Sequence, residues 1–175
     1  ERAFSRDEMG PWKFCDEKDL RRIVGKNETG LKLSAMADIG RVELNDISPK
    51  KDSVLDLIRV ACYTHQVDKA IAMAEGIMDK GYEVAVNIMA VSKVIETDLD
   101  EALNDLSKTR VPTVYIVDSF GSMYCEQIEA LVKKYRAAMP GKTLGIHAHN
   151  NMQLAFSNTV TAIINNCNML DATLL

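Results

Sequence analysis

Two histidines separated by one residue are the feature of this chain most suited to chemistry. His147 and His149 lie within residues 145–151, where an apolar strand-like run gives way to a helix-like run. Alternate residues of a β-strand point to the same side, so the two imidazoles face one direction and are close enough to share one cation. Neutral imidazole is a common ligand of divalent metals. The spacing therefore predicts a metal site held by His147 and His149.

The same pair has a purely structural interpretation, in which backbone carbonyl groups satisfy both rings at a strand end. A catalytic cation also needs at least one further protein ligand, most often a carboxylate, and open positions for substrate or water. The position of the pair favours function, because ligands bind at the carboxyl ends of parallel strands in both common α/β architectures.

The histidines belong to a chain in which short β-rich runs alternate with longer helical patterns. Apolar residues at helical spacing predict a helix from His65 to a C-cap at Gly81, and Thr97 or Asp98 is expected to cap the next helix. The predicted strands are 31–37, 54–62, 82–89, 113–117, 144–147 and 169–174, and the predicted helices are 16–24, 65–81, 97–106, 128–139 and 151–164. Such alternation requires parallel strands joined by crossover helices.

Two α/β architectures fit this order of elements, an open doubly wound sheet and part of a closed (β/α)8 barrel, the TIM barrel. A complete barrel needs about 250 residues, so on that interpretation the chain supplies about six of eight βα units. No linker or composition shift divides residues 1–175, which predicts one domain. We expect the first strands and the last helix of the barrel to lie outside this sequence.

Composition excludes several classes of partner. Twenty-one basic and 25 acidic residues give a formal net charge of −4, so the chain offers no broad basic surface for nucleic acid. The sequence has no apolar run long enough for a membrane span and no signal peptide, which predicts a cytoplasmic protein. Its four cysteines form no CxxC pair and are expected to be reduced and mostly buried.

Polar residues of other predicted strands are further candidates for a site. Arg59 interrupts an apolar strand and must find an anion, either a substrate carboxylate or an internal acid such as Asp56 or Asp118. Asp118 and Ser119 end another strand, and we expect the Asp118 carboxylate on the same side as the histidines, although a helix N-cap is the commoner role for such a residue. Asn87 is either a catalytic residue or one that is hydrogen-bonded inside a barrel.

Several of these segments resemble a family of metal-dependent aldolases and lyases that includes 4-hydroxy-2-oxovalerate aldolase, 3-hydroxy-3-methylglutaryl-CoA lyase and the isopropylmalate synthases. The similar segments are residues 59–61, 117–123, 145–155 and 171–175, which match the fourth, sixth, seventh and eighth barrel strands. The resemblance implies a (β/α)8 barrel that binds one divalent cation through His147, His149 and an aspartate. Mg2+ or Mn2+ is expected in preference to Zn2+.

The aspartate of that family belongs to a first-strand motif, D-x-T-L-R-D-G, which does not occur in this sequence. Asp171 begins a similar run but matches the last strand, so we do not assign it as the metal ligand. The arginine of the motif and the general base proposed for the aldolases are absent as well. We therefore expect the third metal ligand and the base to lie outside the chain.

The resemblance implies an enzyme that cleaves a carbon–carbon bond of a 2-oxo or 3-hydroxy acid through a metal-stabilised enolate, as 4-hydroxy-2-oxovalerate aldolase does. Arg59 and Ser119 are assigned to the substrate and Asp118 to orienting a ligand histidine, while Asn87 stays a catalytic candidate without a specified role. A second copy of the chain or a partner dehydrogenase is the expected protein partner. Two other hypotheses stay open, namely an acyl-CoA-dependent condensing synthase of the isopropylmalate synthase type and a non-enzymatic α/β binding domain.

Overall fold

The computed structural model describes residues 6–10 and 13–173. The strands are β1 (Ser34–Asp38), β2 (Leu57–Cys62), β3 (Glu83–Ile88), β4 (Thr113–Asp118), β5 (Thr143–Ala148) and β6 (Met169–Leu170). The helices are α1 (Arg6–Met9), α2 (Glu17–Val24), α3 (Val67–Asp79), α4 (Glu96–Ser107), α5 (Cys125–Ala138) and α6 (Ala155–Ile164). In this part of the chain, none of the helices combines the length and apolar content needed to cross a bilayer.

The order of the strands decides between the two predicted architectures. Every described strand pairs parallel with its neighbour, and the neighbours follow chain order from β1 to β6. A doubly wound sheet reverses its strand order at a switch point, whereas a (β/α)8 barrel adds each strand beside the previous one in a single direction. The unbroken order therefore selects the partial barrel and rejects the doubly wound sheet.

The two sides of the sheet differ in what covers them. One side, called here the helix-facing side, packs against the helices and forms the main apolar core. Its fully buried strand residues include Val60, Val84, Val86, Ile88, Val114, Ile116, Leu144 and Ile146. The opposite side, called here the inner face, has only a small apolar cluster of Ala85, Tyr115 and Val117. The inner face is where a barrel keeps its polar side chains near the strand ends.

Some element ends differ from the prediction for local reasons. The first strand covers Ser34–Asp38 rather than 31–37, and the second begins at Leu57 rather than at residue 54. The sixth strand ends at Leu170, residues 171–173 are irregular, and residues 174–175 lie outside the described part of the chain. The last helix begins at Ala155, because Gln153 has φ +60°, which a right-handed helix cannot include.

Helix termini give one confirmed prediction and two corrections. Gly81 follows the C-cap of α3 with φ +96°, and its amide donates to the Met78 carbonyl at 2.9 Å, so it ends the helix as predicted. The predicted caps Thr97 and Asp98 are wrong, because α4 begins at Glu96 after an extended Ile95 and both residues lie in its first turn. Acidic residues in that turn interact favourably with the helix dipole instead.

The start of α3 is the second correction. The helix begins at Val67 rather than at His65, which lies in the preceding 3-10 turn Thr64–Gln66. The His65 ring is exposed and stacks on Tyr63, with ring centroids 5.7 Å apart. The ring contact of this third histidine is thus made within its own segment.

All four cysteines are free thiols, as predicted, but only Cys62 and Cys167 are buried, while Cys15 and Cys125 are half-buried. Burial raises the pKa of Cys62 to about 12 and that of Cys167 to about 11. Both buried sulfurs are consequently protonated at neutral pH, which favours a structural role for them.

Candidate metal site

The two histidines of the HxH segment lie together at the carboxyl end of β5. His147 pairs in register with Val117 of β4, which places its side chain on the inner face. The ring centroids of His147 and His149 are 5.0 Å apart and the ring planes are inclined by 70°. Because an imidazole nitrogen binds a divalent metal at about 2.1 Å, two rings at this separation can bind one ion. His147 is half-buried and His149 is exposed, so a solute can reach both.

A carboxylate holds His147 through the ring nitrogen that a metal would not use. Oδ2 of Asp171 lies 2.6 Å from Nδ1 of His147. A neutral imidazole carries one N–H, and a carboxylate accepts that proton, so Nδ1 donates and Nε2 keeps its lone pair. The Asp171 amide also donates to the Ile146 carbonyl at 3.2 Å, which fixes the carboxylate beside β5. Histidines that bind metals commonly have this kind of partner.

Arg59 of β2 reaches the same carboxylate across the inner face. Its terminal nitrogens donate to Asp171 in a bidentate pair, Nη1 to Oδ1 at 3.1 Å and Nη2 to Oδ2 at 2.6 Å. The guanidinium carbon lies 4.2 Å from the centroid of the Tyr115 ring, a cation–π contact. The side chains of Arg59 and Asp171 are only 15% and 18% exposed, so the pair is largely removed from water.

This pairing resolves the alternatives predicted for Arg59. An internal ion pair forms, but its acid is Asp171 and neither Asp56 nor Asp118. Asp56 instead pairs with Lys50 at 3.1 Å, at the opposite end of β2 from the histidines. Sequence separation hid the true partner, because Arg59 and Asp171 are 112 residues apart.

The electrostatics of the cluster follow from burial and from these partners. Burial alone would raise the pKa of Asp171, but the hydrogen bonds and charges of His147 and Arg59 outweigh it and lower that pKa below its ordinary value. Burial raises the pKa of the Tyr115 hydroxyl, the Arg59 charge opposes that rise, and the Asp171 carboxylate adds to it. The cluster therefore holds an ionised carboxylate beside a protonated phenol at neutral pH.

The prediction that Asp118 shares a side with the histidines is wrong. Asp118 is fully buried on the helix-facing side of β4, where its carboxylate accepts the amides of Ser122 at 3.3 Å and Met123 at 3.1 Å. Its strand neighbour Val117 is the residue that faces inward with His147. Both sides of a barrel strand are apolar, so alternation alone does not say which side faces the helices. The carboxylate satisfies a turn before α5 and contacts neither ring.

Ser119 and Asn87 have different surroundings. The Ser119 hydroxyl accepts the amide of Ala90 at 2.9 Å and so joins the ends of β4 and β3. Ala90 needs this support because its φ of +56° is unusual for a residue with a side chain. Asn87 is 2% exposed, and its Oδ1 has no hydrogen-bond partner among the described residues. The alternative that its amide oxygen is satisfied inside the barrel is therefore not found there.

Gly121 fixes the backbone that carries His149, a role that the sequence analysis missed. Its φ is +56°, and a Cβ built on it would lie 2.6 Å from both the His149 carbonyl oxygen and the Asn151 amide nitrogen. The His149 amide donates to the Asp118 carbonyl at 3.2 Å, and the Met152 amide donates to the Gly121 carbonyl at 3.1 Å. The loop after β4 thus holds the loop after β5, and only glycine permits so close an approach.

Tyr115, Gly145 and Asp171 are the other residues of the cluster that the sequence analysis did not assign. A Cβ on Gly145 would lie 2.5 Å from the Tyr115 ring, so this glycine makes room for the aromatic side chain below Arg59. The register of β4 and β5, which pairs Tyr115 with Gly145, is the signal that could have linked them. That register was not available from local periodicity.

The donors present fit part of a metal site. Among residues 6–10 and 13–173, no group of three or more His, Cys, Asp or Glu residues could hold a metal ion. Two adjacent imidazoles, one of them held by a carboxylate on its second nitrogen, nevertheless match the histidine part of a divalent-metal site. A complete site would need further ligands.

Comparison with known sequences assigns the chain to a family. The sequence profile described as HMGL-like matches residues 57–175, the larger part of the chain. The chain belongs to the HMGL-like family. This match includes the HxH segment and every inner-face residue of the cluster described above.

The HMGL-like relatives include two enzymes of known name. The 4-hydroxy-2-oxovalerate aldolase of Thermus thermophilus is 29% identical over 160 residues, which cover 91% of this chain and 46% of that protein. The oxaloacetate decarboxylase of Mycobacterium tuberculosis is 28% identical over 170 residues, which cover 95% of this chain and 49% of that protein. The chain thus spans about half the length of the curated relatives it matches.

Solved structures support the same fold. The N-terminal domain of a Bacteroides vulgatus protein assigned as an aldolase superposes with a TM-score of 0.71 at 27% identity, covering 99% of this HMGL-like chain and 56% of that one. The carboxyl transferase domain of Rhizobium etli pyruvate carboxylase superposes with a TM-score of 0.60 at 19% identity, covering 70% of this chain and 21% of that one. The second likeness shows the fold alone. The prediction of a partial (β/α)8 barrel is confirmed.

Proposed function

We propose that this chain carries the histidine part of the active site of a divalent-metal-dependent lyase, which cleaves a carbon–carbon bond of a 2-oxo or 3-hydroxy acid. The observation that carries the proposal is the placement of His147 and His149 at the carboxyl end of β5. Their ring centroids are 5.0 Å apart, and the Asp171 carboxylate contacts the His147 ring. Catalytic groups of barrels lie at this end of the strands.

The names of the relatives support the reaction class. Both 4-hydroxy-2-oxovalerate and oxaloacetate are 2-oxo acids, and loss of an aldehyde or of carbon dioxide from such an acid leaves negative charge on an enolate. When bound, a divalent ion supplies Lewis-acid stabilisation of the charge that develops on the substrate oxygen. His147 and His149 would hold the ion, with Mg2+ or Mn2+ preferred because an acid chelated through two oxygens suits an octahedral site.

The remaining proposed residues take unequal parts. Asn87 lies buried on the inner face with a free amide oxygen, which suits it to accept a hydrogen bond from a substrate hydroxyl. Arg59 would share its guanidinium between Asp171 and a substrate carboxylate. Ser119 keeps its hydroxyl proton for a ligand while it accepts the Ala90 amide. Asp118 acts only through the backbone of the adjoining loop.

We also propose that strands outside this sequence complete the barrel and bring the third metal ligand and the general base. Within the described residues, β1 and β6 each pair on one side only, so both edges of the sheet are free to pair. Met36 on β1 and Met169 on β6 are 49% and 39% exposed next to these edges. A barrel would cover them by closing the sheet.

A product assay tests the proposed function. The protein with the strands proposed to complete its barrel would be supplied with Mn2+ or Mg2+ and with 4-hydroxy-2-oxovalerate or oxaloacetate, and release of pyruvate would be followed. We expect release that requires the divalent ion, is abolished in the double variant His147→Ala/His149→Ala and persists in the His65→Ala control.

The same experiment separates the alternatives. Release of CoA thiol from acetyl-CoA and a 2-oxo acid, without pyruvate release from either substrate, would favour the condensing synthase. Neither product, together with no bound divalent ion, would favour a non-enzymatic binding domain. Each of these results would contradict the lyase.

A further inference from the structure

The Asp171 carboxylate is shared by two cationic or proton-donating groups from different strands. Oδ2 lies 2.6 Å from Nη2 of Arg59 and 2.6 Å from Nδ1 of His147, and Oδ1 accepts Nη1 of Arg59 at 3.1 Å. Both oxygens are therefore engaged by protein donors, and the side chain is only 18% exposed. A carboxylate in this arrangement is poorly placed to bind a cation itself.

The partner of the carboxylate is itself held in place. The Tyr115 ring lies 4.2 Å beneath the guanidinium carbon of Arg59, and the absence of a side chain at Gly145 leaves the space that this ring fills. A planar guanidinium that is stacked on a ring and paired at both terminal nitrogens has little freedom to rotate. Arg59 consequently holds the Asp171 carboxylate in one orientation and stabilises its ionised form.

The backbone gives Asp171 a second constraint. Its amide donates to the Ile146 carbonyl at 3.2 Å, which extends the pairing of β6 with β5 by one residue beyond Leu170. Asp171 is thereby placed directly beside His147 on the inner face. The carboxylate cannot turn away from the ring without breaking its ion pair with Arg59.

We infer that Asp171 is a positioning residue that keeps the Nδ1 proton on His147, so that Nε2 is free to bind a cation, and that Arg59 serves as its counter-ion. A histidine that is protonated at Nε2 could not bind through that atom, so the tautomer decides whether the pair is ready to bind. The inference rests on the proposed function for the identity of the site, but the tautomer itself is a property of the metal-free protein.

The first test reads the tautomer. In the metal-free protein that includes the strands proposed to complete the barrel, labelled with 15N-histidine at pH 8, long-range proton–nitrogen correlation spectra distinguish the two neutral tautomers of His147. We expect the Nδ1–H form in the wild type, a gain of the Nε2–H form in Asp171→Ala, and the wild-type form in Asp171→Asn, because an amide oxygen still accepts the proton. Wild-type His147 protonated at Nε2 would overturn the inference.

The second test reads cation binding by Mn2+ titration of the same variants. Loss of such a partner costs about 10–100-fold in metal affinity, so we expect a fall of that size in Asp171→Ala and a smaller one in Asp171→Asn. The matched control is Asp56→Asn, which removes another carboxylate of an ion pair, with Lys50, at the opposite end of β2 from the histidines and should leave the tautomer and the affinity unchanged. Equal Mn2+ affinity in wild type and folded Asp171→Ala would contradict the inference.

The two tests separate failure of the inference from failure of the proposed function. If the wild type binds no Mn2+ but the tautomer changes in Asp171→Ala, the metal site is wrong and the positioning role stands. If the wild type binds Mn2+ and the His147 tautomer is the same in the wild type and in Asp171→Ala, the metal site stands and the positioning role of Asp171 is wrong. Should Asp171→Ala not fold because Arg59 loses its partner, the wild-type tautomer and the Asp171→Asn affinity decide the matter.

Discussion

The helix-facing side and the inner face of the same strands are organised differently. On the helix-facing side, residues such as Val86, Ile116 and Ile146 are fully buried, and all of them are branched aliphatic side chains. On the inner face, Arg59 and His147 come from non-neighbouring strands and meet at one carboxylate. Apolar burial therefore stabilises the sheet from one side, whereas the other side depends on a few specific polar pairs. Substitutions on the two sides should accordingly change different measured quantities.

The largest expected effect is on stability and comes from the helix-facing side. Ile116→Ala removes a fully buried side chain and should lower the free energy of unfolding by about 2–5 kcal/mol, with Ile116→Val costing about 1 kcal/mol. Denaturant unfolding measures both values. The Mn2+ affinity of the folded variants should not change. If Ile116→Ala kept its stability but lost Mn2+ binding, the proposed difference between the helix-facing side and the inner face would be contradicted.

Gly121→Ala tests the junction between the two sides. A side chain there would be strained at φ +56° and would press on the His149 carbonyl, so we expect a loss of about 1–3 kcal/mol in the free energy of unfolding together with weaker Mn2+ binding. Gly141→Ala is the matched control, because its φ is +89° and nothing lies within 4 Å of the added carbon. Strain alone should destabilise that control, and equal Mn2+ affinity in the two variants would show that contact at Gly121 does not position His149.

Asp118→Ala separates the observed from the predicted role of that residue. Removal of the carboxylate leaves the Ser122 and Met123 amides without their acceptor, which should cost about 1–3 kcal/mol of stability. Asp118→Asn keeps one acceptor oxygen and should cost less. Unfolding curves and Mn2+ titrations on both variants measure these effects. If the carboxylate instead oriented a histidine, Mn2+ affinity would fall while the free energy of unfolding stayed unchanged.

The smallest effect concerns the thiol of Cys62, which is buried in the helix-facing core. Burial raises the pKa of Cys62 to about 12, so its thiolate is scarce until the pH rises far above 8. We expect a disulfide reagent at pH 8 to label half-buried Cys125 in the native protein and Cys62 only after unfolding, as read by mass spectrometry. Equal labelling rates under native conditions would mean that the helix-facing core opens easily.

The sequence predicted what local periodicity can encode. Apolar spacing located the strands and the helices to within a few residues, Gly81 ended α3 as expected, and the one-residue spacing of His147 and His149 put their rings together. The side on which Asp118 lies was not predictable in this way, because both sides of a barrel strand are apolar.

Local sequence patterns also could not predict contacts between residues that are distant along the chain. Arg59 finds Asp171 across 112 residues, and that contact depends on the register of five strands rather than on any local motif. The fit of Gly121 against the His149 loop likewise exists only after the loops of β4 and β5 meet. Helix ends that rely on acidic first turns, as in α4, escape a search for side-chain caps.

Titration of the metal-free protein, including the strands proposed to complete its barrel, with Mn2+ tests the central claim most directly. We predict one Mn2+ bound per chain by the wild type, no binding by the His147→Ala/His149→Ala double variant and wild-type binding by His65→Ala, whose ring stacks on Tyr63. Wild-type affinity in the double variant, or no Mn2+ bound by the wild type, would contradict a metal site at the end of β5.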